Sequence, residues 1–481
     1  MNSAWKAIIG MWLVLAWQGA YAARSDWRQM TVGHFHLYST MGDTRTRAVA
    51  RQLQAFEKTV GEILQSEDRL PDVPTIIYIL DDRDFQQYGA GRPGLAGVFY
   101  ERPYANVVTI NGDLPFDAVK VAVFHEYTHF IQRNSTSKKM PPWYVEGYAE
   151  LFSGVKLNKD QIFIGELPAG VHIDMQRWIP LDRILQVKQS DPEYRAEQLA
   201  PQFYGESWAL VHLLLFDDRS LQRPTAVYLD NLDTGIPEPE AFAQAFPFDK
   251  NALDAAVRKL ISHRVIVVKR KSYPEGLALD EAPILPLTAA QADAEIARMA
   301  MMIGWPKQTL GPLAAAALKE NPSDPAVRAL CARIAARDGE PQDIADLTTR
   351  LAQGGTDYAQ TRIDAAESLF AQNTSKEASA QAYAILYDLA HSDDPPLEAV
   401  SLWANAAQRS DVDPIKLLTV LERNSVRAPH DTLMIRELAR AHEAIGDKSK
   451  ARADYERIIL VSDRPEERLW AQKQADSARL Q

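Results

Sequence analysis

Polar and apolar positions change their period along the chain. His34-Phe35-His36-Leu37-Tyr38 alternates as a half-buried strand does, and Thr46 to Leu64 shifts to the 3.6-residue period of an amphipathic helix. Thr75-Ile76-Ile77-Tyr78-Ile79-Leu80 predicts a buried strand, and two more strands are expected around Ala96–Tyr100 and Asn106–Ile110. The turn cluster Asn111-Gly112-Asp113 follows. Pro115 and Asp117 then open a helix through Gln132, placing a proline and an acid where a first helical turn prefers them. Phe203 to about His263 reads as helix, most apolar from Tyr204 to Leu215, and Val265-Ile266-Val267-Val268 reads as a short strand. The first half of the chain is therefore expected to be α+β.

Three prolines between Ser272 and Pro286 place a linker at 271–290. Residues 291–481 are Ala- and Leu-rich helix broken by Asn-Pro, Asp-Pro and Gly-containing turns. At an offset of 107 residues, Pro322 aligns with Pro429, Asp324 with Asp431, Ala332 with Ala439 and Gly339 with Gly446. The clearest single copy runs from Leu438-Ala439 through His442, Gly446-Asp447, Ala451 and Tyr455 to Ile458. It resembles a tetratricopeptide (TPR) repeat, with small residues where paired helices approach, a glycine at the turn and an aromatic for the next helix. An ordinary helical bundle is the alternative; either arrangement is an all-α array, a form that usually serves protein contact.

Composition narrows the class. The 481 residues amount to roughly three domain-lengths. The net charge of -11 and the lack of a basic stripe exclude a general nucleic-acid binder, and no phosphate-cradling glycine loop points to nucleotide or flavin. Lys6 precedes the apolar run Ala7–Ala16, and Ala20-Tyr21-Ala22 supplies a small-residue cleavage pattern, so residues 1–22 are expected to be a secretory signal peptide. The run is shorter than a spanning helix needs, and no later segment could span, so a soluble, exported chain of the bacterial periplasmic type is expected. With Cys331 the only cysteine, no intramolecular disulfide can form, and the chain must rely on its packed cores.

The chemistry concentrates in His125-Glu126-Tyr127-Thr128-His129. On a helix, residues four apart lie about 40° apart around the axis, so both imidazoles share a face and can grip one ion, with Glu126 beside them within reach of a water. Sixteen residues separate His129 from Glu146 in Pro141-Pro142-Trp143-Tyr144-Val145-Glu146-Gly147-Tyr148-Ala149-Glu150. Its prolines start a second helix, Glu146 can supply a third ligand, and Glu150, one turn on, can accept a hydrogen bond from a ligand imidazole and fix its tautomer. His172 and His212, outside any such pattern, read as structural histidines.

These two motifs together resemble the gluzincin metallopeptidases, and most closely the peptidase-MA-like exported proteins of bacteria. The resemblance covers about residues 27 to 260. It implies a zincin-like domain over 24–270 that binds one Zn²⁺ through His125, His129 and Glu146, with Glu126 as general base and Glu150 behind the ligands. It also implies a hydroxyl donor to the reacting carbonyl from the following helical region, for which Tyr204 is the candidate; an aromatic anchor in the core is the alternative for that residue. The strand at Leu95–Tyr100 is expected to pair with an extended substrate, its approach kept open by Gly91, Gly94 and Gly97. No acidic motif on that strand captures a free amino terminus, which favours endopeptidase or oligopeptidase action. The expected whole is an α+β zincin-like peptidase followed by a TPR-like array that recruits a peptide or protein substrate or a protein partner. A non-catalytic binding scaffold with a vestigial or structural zinc site is the competing expectation. The polar loop from Arg133 to Met140, with Lys138-Lys139, is read as a solvated connection.

Overall fold

Alternating and continuous apolar runs become one mixed sheet in the computed structural model, which describes residues 26–64, 73–89, 97–102, 105–135, 140–158, 161–196, 198–263, 266–272, 282–337, 339, 342–353, 359–372, 375–429, 431–462 and 465–478. The expected signal peptide, Gly91, Gly94 and Lys138-Lys139 lie outside these residues. Strands β1 (Arg28–Val32) and β2 (Phe35–Ser39) form a hairpin about Gly33, whose φ of 56° suits a residue without Cβ. Helix α1 (Asp43–Leu64) returns the chain to β3 (Thr75–Leu80), parallel to β2. Strands β4 (Gly97–Arg102) and β5 (Ala105–Asn111) pair antiparallel, β5 lies parallel to β3, and β9 (Ile284–Pro286) adds antiparallel to β1. The order is β4-β5-β3-β2-β1-β9.

Both faces of this sheet are covered, which is why β3 reads as an unbroken apolar run. One face carries Phe35, Leu37, Ile77, Ile79, Val108 and Ile110 against α1 and α2 (Phe116–Ser135), with Phe56 and Phe124 stacked at 3.8 Å between ring centres. The other carries Tyr78, Leu80 and Val107 against three helices from the C-terminal half, Ala289–Ile303, Lys307–Glu320 and Pro325–Arg337. Ionic contacts extend this packing: Tyr78 donates to Glu295, and Arg298 joins Glu295 to the fully buried Asp364, which Arg333 also reaches.

After α2 come α3 (Pro142–Ser153), a three-stranded sheet in the order β6 (Lys156–Leu157), β7 (Gln161–Ile164) and β8 (Lys269–Ser272), and the helices α4 (Leu181–Gln186), α5 (Pro192–Arg195) and α6 (Ala200–His212). Of the strand expected at Val265–Val268, Val265 lies outside the described residues and 266–268 join no ladder, the Val267 carbonyl lying 3.1 Å from His212 Nε2; the strand forms instead at Lys269–Ser272. Helices continue from Ala345–Ala352 to Pro465–Ser477. The chain is thus mixed α and β, with its main sheet in the N-terminal half and a helical C-terminal region. No helix among the described residues is long and apolar enough to cross a membrane.

Candidate metal centre

Helix α2 buries Val119, Val123, Phe124, Tyr127, Phe130 and Ile131 and turns His125, Glu126 and His129 along its other edge. Tyr127 fixes the helix from behind: its hydroxyl donates to Glu57 of α1, whose carboxylate also lies 2.6 Å from His34 Nε2. Helix α3 begins where Pro141 is extended and Pro142 takes the first helical position, needing no N–H there. It then packs backbone against backbone on α6 at Gly147. A Cβ there would meet the Ser207 carbonyl group, with its carbon at 2.6 Å, and Val211 Cγ2 at 2.7 Å. Bare Gly147 sets the depth of α3, and the preceding residue, Glu146, meets the histidines of α2.

Three donor atoms converge. His125 Nε2 and His129 Nε2 are 3.1 Å apart, and Glu146 Oε2 lies 3.4 Å from the first and 3.3 Å from the second. A tetrahedron whose corners stand about 2.0 Å from its centre, the zinc–nitrogen distance, has edges of about 3.3 Å. The triangle therefore has the size of one face of a zinc site, and its two nitrogens and one carboxylate oxygen are donors that zinc accepts. This is the one His/Cys/Asp/Glu group of metal-binding geometry among the described residues.

Burial alone would lower the His125 imidazole, but hydrogen bonds with Glu146 and Glu150, with Glu150 Oε1 3.3 Å from Nδ1, outweigh it and push its pKa up to about 10. Burial would raise Glu146, yet its bonds to His125, His129 and Tyr194 hold it well below the usual carboxylate range. Two buried carboxylates thus hold a positive charge between them, and a divalent ion could replace the proton that supplies it. Glu150 sits on the Nδ1 side of His125, and Ser153 Oγ donates to it at 3.3 Å. His129 departs from the usual pattern, because its buried Nδ1 has no hydrogen-bond partner among the described residues.

Glu126 is half-buried, and its charge adds to the upward shift of the Tyr194 and Tyr204 phenols. The Tyr204 ring lies 6.2 Å from that of His125, and burial together with Glu146, Glu126 and Glu150 raises its phenol well above the ordinary value. It is therefore a neutral hydroxyl beside the site. His212 is fully buried between Asp217 and the Val267 carbonyl, a structural role; His172 is exposed. Gly97 serves a different end from the one expected: a Cβ there would come within 2.7 Å of Val119 Cγ1, so its bareness lets β4 approach α2.

Two contacts had no motif to announce them. Tyr194 on α5 donates its hydroxyl to Glu146 Oε1 at 2.6 Å, from 48 residues away in the chain. Ser153 was legible in principle, three residues after Glu150 on one helix face. Comparison with family models, curated proteins and solved structures gives no match for this chain.

Proposed function

We propose that the chain is a zinc-dependent peptidase of the gluzincin kind. The observation that carries this reading is the donor triangle of His125, His129 and Glu146, with Glu126 on the same helix edge. A bound zinc would supply Lewis acidity, polarising a carbonyl and making a water acidic near neutral pH. The protein's own groups have distinct tasks. Glu126 takes the proton of the attacking water and delivers it to the leaving amine. Tyr204, kept neutral, donates a hydrogen bond to the carbonyl oxygen as charge develops there. Glu150 holds the His125 ring in orientation through Nδ1. Strand β4, at the edge of the sheet and paired with β5 on one side, is placed to take an extended substrate as an added strand.

The C-terminal helices support a recruiting role. Helices Thr432–Ala444 and Lys448–Val461 form a hairpin in which Ala439, Ala451, Tyr455 and Ile458 are buried. Gly446 between them and Gly339, its aligned counterpart, both take the left-handed conformation, at φ of 82° and 79°. A TPR-like array that presents substrate or partner to an exported peptidase fits these features.

The test is metal content and hydrolysis of a peptide library by wild type, by Glu146→Ala and by wild type stripped with chelator. About one zinc per chain and chelator-sensitive cleavage, both lost in Glu146→Ala, are expected. Zinc held by an inert wild type would instead favour a binding scaffold with a structural metal.

A further inference from the structure

The side of Glu146 turned away from the histidines is occupied by a purpose-held residue. Tyr194 lies on α5, a single turn too short to be stable alone, and three bonds from one arginine pin it in place. Arg183 of α4 donates Nε to Glu193 Oε1 at 2.8 Å, Nη2 to Glu193 Oε2 at 2.7 Å and Nη2 to Asp191 Oδ2 at 2.9 Å. Planar, forked pairing of this kind fixes orientation as well as distance. The Tyr194 ring is bracketed by Phe203 and Tyr204 of α6, at 6.2 and 6.0 Å between ring centres. A side chain so confined can aim its hydroxyl, and it aims it at Glu146 Oε1 while Oε2 faces both imidazoles.

A carboxylate with both oxygens free can bind a metal with one or with two, and the second would take a coordination position that catalysis needs open. We propose that Tyr194 is a positioning residue that holds Glu146 as a one-oxygen ligand and so sets both metal affinity and coordination number at this site. The proposal rests on the metal-centre reading above. Sequence distance conceals the role, since Asp191-Pro192-Glu193-Tyr194 carries no metal motif and meets α3 through the Tyr194 hydroxyl.

Tyr194→Phe removes the hydroxyl and keeps the ring between Phe203 and Tyr204. Tyr228→Phe is the control, because Tyr228 donates a bond of the same kind at 3.1 Å to Glu238, which belongs to no metal cluster among the described residues. The full-length proteins would be stripped of metal, checked for helix content by circular dichroism, and titrated with zinc and with cobalt(II) against a chelator. The visible spectrum of the cobalt form would report coordination number. Tyr194→Phe is expected to lower affinity about 10- to 100-fold and to weaken the intense four-coordinate cobalt bands, while Tyr228→Phe does neither. Wild-type affinity and spectrum in Tyr194→Phe, or equal losses in both variants, would overturn the assignment while leaving the metal centre standing. A wild-type protein that takes up neither metal would overturn the centre itself and the role of Tyr194 with it.

Discussion

Gly147→Ala is the smallest change that tests how the two motifs are brought together. The added Cβ would stand against the backbone of Ser207, with the carbonyl carbon at 2.6 Å and Val211 Cγ2 at 2.7 Å, and backbone cannot swing aside as a side chain can. Ordinary contact begins near 3.4 Å, so α3 and α6 must separate by close to 1 Å at this point. Overpacking of this kind typically costs about 1–3 kcal/mol. The same shift carries Glu146, the adjacent residue, away from the imidazoles, where it sits 3.3 and 3.4 Å from their Nε2 atoms. Misplacing a reacting group by about 1 Å can cost on the order of 100-fold in rate, and ligand displacement should weaken metal binding by at least 10-fold, as loss of a supporting contact does. Thermal unfolding followed by circular dichroism and metal titration against a chelator would measure both effects on one preparation. If Gly147→Ala keeps wild-type stability and affinity, the close approach of α3 to α6 does not set the ligand triangle.

Other expectations follow from particular groups. Glu206 is buried, accepts hydrogen bonds from the Ile179 N–H and Gln202, and burial lifts its pKa from the usual value near 4.5 to about 7. A carboxyl raised in the fold binds a proton more tightly than in the unfolded chain, so stability falls as pH rises from about 4.5 to about 7. Glu206→Gln should therefore gain on the order of 2 kcal/mol over wild type at pH 8 relative to pH 5, read from urea midpoints; an equal difference at both values would refute it. Asp364, fully buried between Arg298 and Arg333, is held low by those charges despite burial, so its stabilisation is present above the unfolded carboxyl pKa and lost as pH falls through the folded one. Asp364→Asn should cost about 3–5 kcal/mol at neutral pH by leaving buried arginine under-compensated, and a urea midpoint equal to wild type would contradict that. His129→Ala should lose zinc at concentrations that saturate wild type, by metal analysis after dialysis, and full retention would remove His129 from the ligand set.

The parts of the molecule that follow local rules could be read directly from sequence. Alternation gave Phe35–Ser39, an apolar run gave Thr75–Leu80, and proline with an acid gave the start of α2. Spacing placed His125 and His129 on one edge of α2, because helical period determines which residues of one helix share a face, whereas Glu146 meets them through the packing of α3 on α6 at Gly147. What eluded sequence was set by distant partners. Strand β8 forms from Lys269–Ser272 because β7 pairs there, although the β-branched run just before it has the higher strand propensity. Ile284–Pro286, within the stretch read as linker, joins the edge of the main sheet, where a proline at the strand end is tolerated. The hydroxyl of Tyr194 reaches Glu146 across 48 residues of chain, on a turn that Arg183 ties down, and the cover that Ala289–Arg337 provides for the back of the sheet has no local signature at all.

The central claim, hydrolysis by Glu126 at a zinc held by His125, His129 and Glu146, is tested most directly by comparing wild type with Glu126→Gln for bound metal and peptide cleavage in the same assay. Glu126 is not one of the three grouped ligands, so both proteins should hold about one zinc per chain, while loss of the proton-transfer group should lower cleavage by roughly 100- to 10,000-fold. Equal cleavage by the two proteins, or a wild type that binds no stoichiometric metal, would contradict the account.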